Sequence, residues 1–146
     1  MPGAPATVES DDLVQPDLER LMALLEAAWA IFDDVSHGAQ GTQLTKGPRG
    51  GGRDPDQIVD HVREAEAAYL GQLGSRAPDL ADEDPARPMD LLRAAYLATL
   101  RARVAGQPVP NPRRTRRPWS PRYAIRRSAW HSLDHAWEIE DRAPTR

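Results

Sequence analysis

Pro16-Asp-Leu-Glu-Arg-Leu-Met-Ala-Leu-Leu-Glu-Ala-Ala-Trp-Ala-Ile-Phe-Asp-Asp-Val-Ser-His-Gly38 carries apolar side chains at Leu18, Leu21, Met22, Leu25, Trp29, Phe32 and Val35. Intervals of three and four put them on one face of an α-helix, with a proline at its start and a glycine at its end. The spacing predicts a helix over 16–37.

Toward the C-terminus, the run Lys46-Gly-Pro-Arg-Gly-Gly-Gly-Arg53 can form neither helix nor strand without cost and reads as a loop. Asp54 followed by Pro55 is an N-cap with proline in the first turn, and Ile58, Val62, Ala65, Tyr69 and Leu73 make a second stripe, predicting a helix over 54–74. Met89, Leu92, Tyr96, Leu100 and Val104 predict a third helix over 88–106. The stretch from Gln107 to Trp119 holds four prolines and four arginines and should be irregular. Ser120-Pro121 then repeats the cap-plus-proline pattern, opening a fourth helix over 121–141. Nothing alternates with a period of two, so the expected fold is an all-α four-helix bundle. Connections of a dozen or more residues leave up-down and crossover orders both open. Residues 1–12 and 142–146 are expected to be disordered.

The chain has 146 residues, 40% of them apolar, which suits a single domain over 1–146. It has no cysteine. A disulfide framework and a cysteine-ligated zinc site are thereby excluded, and a nucleophilic thiol has to come from a cosubstrate. The first ten residues lack the basic and apolar regions of a signal peptide, and no run approaches the ~20 apolar residues of a membrane span. The expectation is a soluble, cytoplasmic protein with no membrane partner. The formal net charge is −3, yet residues 111–146 hold nine arginines against four acidic residues, so the C-terminal quarter is locally basic.

His131 and His135 stand four apart in the fourth helix, one turn apart on one face, where both can reach a single ion. The face runs through Ala124, Arg127 or Ser128, His131, His135 and Glu138, and Trp130, Leu133 and Trp137 flank it on sides expected to pack. In the second helix His61 lies beside the apolar line through Ile58 and Val62 and can supply a third imidazole. Three neutral imidazoles suit zinc, nickel or ferrous iron and leave coordination positions open for water or substrate. Glu138 and Asp134, each three residues beyond a histidine, are candidates for ligand, outer partner or proton-transferring base. Two histidines at this spacing also arise by chance, as polar surface or hydrogen-bonded core residues. His37, at the end of the first helix, is taken as structural, complementing the helix dipole.

Asp60-His61-Val-Arg-Glu-Ala-Glu-Ala-Ala-Tyr69 and His131-Ser-Leu-Asp-His-Ala-Trp-Glu-Ile-Glu140 resemble the second-helix and closing motifs of the DinB/YfiT-like superfamily. The resemblance covers most of the chain. It implies a four-helix bundle with a divalent metal on His61, His131 and His135. Members of that superfamily include transferases and isomerases that use a low-molecular-weight thiol such as mycothiol or bacillithiol. The resemblance therefore implies an S-transferase or isomerase whose partners are a small thiol and an electrophile. A composition rich in Ala, Arg, Gly and Pro with one lysine is of actinobacterial type, for which mycothiol is the natural thiol. Short loops and a short N-terminal region depart from larger members and put substrate-binding segments in doubt.

Arg49 and Arg53 lie just before the second helix, whose amides and dipole favour an anion, and His61 is only ~10 Å along the axis from Asp54. They are candidate substrate-binding residues, as is Arg127. The glycine-rich run is no P-loop, since no Gly-Lys-Ser/Thr follows it. Arginines across 113–127, interleaved with Trp119 and Tyr123, would suit nucleic acid. The negative net charge and the absence of a recognised module set that reading behind. Trp29, Trp130 and Trp137 are expected in the core, and Trp119 at the surface. The alternatives to an enzyme are a non-catalytic metal-binding bundle and a protein- or nucleic-acid-interaction module. Homodimerisation through an apolar helix face stays open.

Overall fold

The computed structural model describes residues 13–46, 52–78, 88–113 and 117–144. Four helices form: α1, Gln15–Gly38; α2, Pro55–Gln72; α3, Pro88–Ala105; and α4, Pro121–Arg142. Their ends lie within two residues of those the spacing predicts, and the starts at Pro88 and Pro121 coincide. The Asp54 carboxylate accepts from the Gln57 amide at 2.8 Å while the Gln57 side chain accepts from the Asp54 amide at 2.9 Å, a reciprocal capping box that opens α2. The Ser120 hydroxyl accepts from the Tyr123 amide and opens α4. α2 and α3 stop in the same way. Gly74 (φ 99°) and Gly106 (φ 67°) take the left-handed conformation. The next amides, of Ser75 and Gln107, reach back to the Leu70 and Ala102 carbonyls.

Contacts between the helix ends give the topology. The Arg142 side chain at the end of α4 meets Thr45, after α1, and Arg53, before α2. At the other end, Arg103 of α3 donates to the carbonyls of Leu73, after α2, and Trp119, before α4. α1 therefore runs parallel to α4, and α2 and α3 run parallel to each other in the opposite sense. α2 ends and α3 begins at opposite ends of the bundle, which is the crossover order. α1 packs most extensively against α4, and α2 also lies against α4, so the two helices that carry the histidines are neighbours. Among the described residues there is no strand, only an isolated bridge between Ser75 and Pro112. No described helix is long and apolar enough to cross a membrane.

The core has two apolar clusters. One gathers Leu18, Met22, Leu25 and Trp29 with Leu70, Leu73, Leu92, Tyr96, Leu100, Ala124 and Ile125. The other holds Phe32, Ala39, Ile58, Val62, Ala136 and Ile139. Between them, at the level of Glu66 on α2 and Ser128 and Ser132 on α4, the interior is polar. All three are buried, the Trp29 indole donates to Glu66 Oε1 at 2.9 Å, and Ser128 shares a 2.6 Å hydrogen bond with the Tyr96 hydroxyl. Arg93, stacked over the Trp29 ring and paired with Asp33 at 2.7 Å, ties α3 to α1 beside this layer.

Three expectations need correction. Trp130 and Trp137 are about half exposed and not in the core. They sit at the outer flank of the histidine face, and Trp130 stacks under Arg127. Trp119 is half-buried between Tyr69 and Tyr123. Arg142, assigned by the sequence to a disordered tail, is the last residue of α4 and 2% exposed, because its guanidinium is hydrogen-bonded on every side. Residues 1–12, 145 and 146 lie outside the described residues.

Candidate metal centre

The apolar stripe of α2 turns Ile58 and Val62 inward, and this leaves His61 at the edge of the core, facing α4. On α4 the inward face that buries Ser128, Ser132 and Ala136 carries His131 and His135 along its border. The three rings pack against one another, with centroids 5.2 Å (His61–His131), 4.8 Å (His61–His135) and 4.5 Å (His131–His135) apart. One nitrogen from each lies within 4.8 Å of the others. Burial, then the charges of His135, His61 and Arg127, bring the His131 imidazole down to about 4. Burial, then His135 and Arg53, lower His61. Both imidazoles are thus neutral at neutral pH, the form that binds a metal.

The donor set fits a divalent ion. A tetrahedral ion with bonds of about 2.0–2.1 Å needs ligand nitrogens roughly 3.3 Å apart. His131 Nε2 and His135 Nε2 are 3.2 Å apart, and a nitrogen of His61 lies within 4.8 Å of a nitrogen of each. His135 Nδ1 lies 2.8 Å from Glu138 Oε1, so its proton belongs on Nδ1 and its Nε2 lone pair faces the cluster. The short contact between the two Nε2 atoms then requires the proton of His131. That leaves the buried His131 Nδ1 without a hydrogen-bond partner. Three protein nitrogens leave coordination positions open, as in catalytic sites.

Glu138 is an orienting partner of His135 in this geometry. Its other oxygen accepts from Arg142 Nη1 at 2.6 Å. Burial pushes the carboxyl up, but the hydrogen bonds and charges of His135 and Arg142 outweigh it and hold the group below its ordinary value. Asp134 is half-buried and contributes no atom to the cluster.

Among the arginines, Arg53 is close enough to His61, and Arg127 to His131, for each positive charge to depress its neighbour. Neither forms an ion pair among the described residues. Arg127 is held over the Tyr69 and Trp130 rings, and Tyr69 in turn packs edge-on against His131. Arg49 lies outside the described residues. The N-terminus of α2 is a weaker anion site than its sequence suggests, since Asp54 occupies the Gln57 amide and Pro55 has no N–H. Tyr123 is 4% exposed, so it offers no stacking face to a nucleic-acid base.

Sequence reasoning passed over Glu66. It lies between Val62 and Leu70 at helical spacing, in line with the buried stripe, and is 1% exposed. Its charge concealed it, because apolar periodicity admits only apolar residues. Comparison of the chain with protein families, with curated proteins and with solved structures finds no match.

Proposed function

We propose that this chain is a DinB/YfiT-like protein that binds one divalent ion through His61, His131 and His135 and catalyses transfer or isomerisation with a low-molecular-weight thiol of the mycothiol type. The observation that carries the reading is the convergence of three imidazoles from two neighbouring helices, with one nitrogen of each within 4.8 Å of the others. The motif resemblance and the absence of cysteine supply the thiol part, because the nucleophilic sulfur has to be external.

Zinc, nickel or ferrous iron held there supplies Lewis acidity, which favours the thiolate form of a thiol beside it. The chain's own residues do the rest. Glu138, kept ionised, holds the His135 proton on Nδ1 and so presents Nε2. Arg53 and Arg127, with no carboxylate partner among the described residues, flank the centre and favour an electrophilic substrate that carries an anionic group. Tyr69 and Trp119 form an apolar wall on the Arg127 side and limit water there. Asp134 is the remaining candidate for proton transfer, half-buried one residue before His135. The second reading, a metal-binding bundle without catalysis, rests on the same nitrogens.

The test is the metal content of protein purified without a polyhistidine tag. About one ion per chain is expected in the parent, and none in His131→Ala/His135→Ala. Retained metal in that variant sinks the site. Parent that stays metal-free after reconstitution sinks the whole reading. Metal-loaded parent that transfers no thiol to a panel of anionic electrophiles leaves the non-catalytic reading.

A further inference from the structure

Arg142 commits each of its three guanidinium nitrogens to an acceptor on a different segment. Nη1 donates to Glu138 Oε2 at 2.6 Å, Nε to the Thr45 carbonyl at 2.7 Å and Nη2 to the Arg53 carbonyl at 2.7 Å. Its own carbonyl accepts from the Thr45 amide at 2.8 Å and from the Thr45 hydroxyl at 3.0 Å. Burying an arginine this completely is tolerated only when its donors are satisfied in fixed directions. A basic side chain in the last turn also suits the helix dipole. That role would be met by one exposed arginine and explains none of these three acceptors.

The acceptors share a property. Glu138 orients His135 through its other oxygen. Arg53 immediately precedes the N-cap of α2, the helix that carries His61. One fork therefore bears on a histidine of α4 through a carboxylate and on the start of α2 through a backbone carbonyl.

We infer that Arg142 is a positioning residue of the three-histidine centre, holding Glu138 against His135 and fixing where α2, with His61, starts relative to α4. The inference rests on the metal reading above. Lysine is a poor substitute, because a single ammonium on a flexible stem cannot present a planar fork to acceptors on three segments.

The experiment is a Co2+ titration of the full chain, followed by the visible d–d absorption that reports ligand geometry, on the parent, Arg142→Lys, Arg142→Gln, Glu138→Gln and Arg142→Gln/Glu138→Gln. Circular dichroism checks the fold of each. Outer partners of metal-bound histidines are worth roughly 10–100-fold in affinity, and a loss in that range is expected for each single variant. Arg142→Lys should fall between the parent and Arg142→Gln, with altered band shape. The double variant should lose less than the product of the two single losses, since both act on one chain of contacts. Folded Arg142 variants with parental affinity and spectrum overturn the inference while leaving the metal reading intact. Multiplying losses, with parental spectra, also overturn it and leave Arg142 a loop anchor. If Arg142→Gln does not fold, Glu138→Gln and Arg142→Lys decide, and parental affinity in either overturns it. A parent that binds no Co2+ removes both readings together.

Discussion

Glu66 makes one hydrogen bond among the described residues, from the Trp29 indole, while its second oxygen is buried without a partner. Burial pushes its carboxyl up from the ordinary 4.5, and the Trp29 bond, the nearby Ser128 and Ser132 hydroxyls and the Arg93 charge only temper this. The folded state thus holds this proton more tightly than the unfolded chain, a contribution fully present below pH 4.5 and lost as pH rises through the raised value. Urea unfolding of Glu66→Gln beside the parent should show the difference moving in the variant's favour as pH climbs above 4.5. Parallel pH profiles would mean that Glu66 ionises as freely in the fold as outside it. His131 acts in the opposite direction. With its folded value about 4 against 6.5 unfolded, the ion-free protein should lose stability as pH falls from 6.5 to 4, by at most ~3 kcal/mol from this group, and His131→Ala should flatten that acid limb. The histidines were legible because three of the chain's four imidazoles fall on inward-leaning helix faces, two of them one turn apart. Glu66 was not, since buried carboxyls leave no mark in apolar periodicity.

Helix boundaries were legible where one residue type has one mechanical use. Asp54 and Ser120 read as caps because their side chains can replace a missing backbone acceptor, and both do so. Asp54→Ala and Ser120→Ala should each cost about 1 kcal/mol, measured by urea unfolding. Gly106 combines a φ of 67° with open space where a side chain would sit. Gly106→Ala should therefore cost about 1–2 kcal/mol from backbone conformation alone and leave metal content unchanged. A loss of metal in that variant would mean that the end of α3 reaches the centre. The end of α4 was misread, since nothing in the order of Arg142 and Ala143 shows that Thr45 and Arg53 wait there as acceptors.

The neighbour order of the helices was not legible. Four amphipathic stripes require a common core, but each can be covered by any other stripe, and only contacts between distant segments, such as Arg103 with Leu73 and Trp119, select the crossover arrangement. That arrangement sets α2 beside α4 and brings His61 to the pair on α4. If the proposed ion binds, it belongs to the folded state alone. Zinc at a hundred times its dissociation constant should add about 2.7 kcal/mol. At roughly 2–4 °C per kcal/mol for a domain of this length, differential scanning should find the melting point raised by roughly 5–11 °C, and unchanged in His131→Ala/His135→Ala.

An ion shared by His61 and His131 would join points roughly 70 residues apart in a chain that has no disulfide. By the loop-entropy relation used for covalent bridges, closing such a loop narrows the unfolded ensemble by about 4 kcal/mol. The centre would then be a removable staple, one that a chelator takes out without cutting the chain or reducing a covalent bridge.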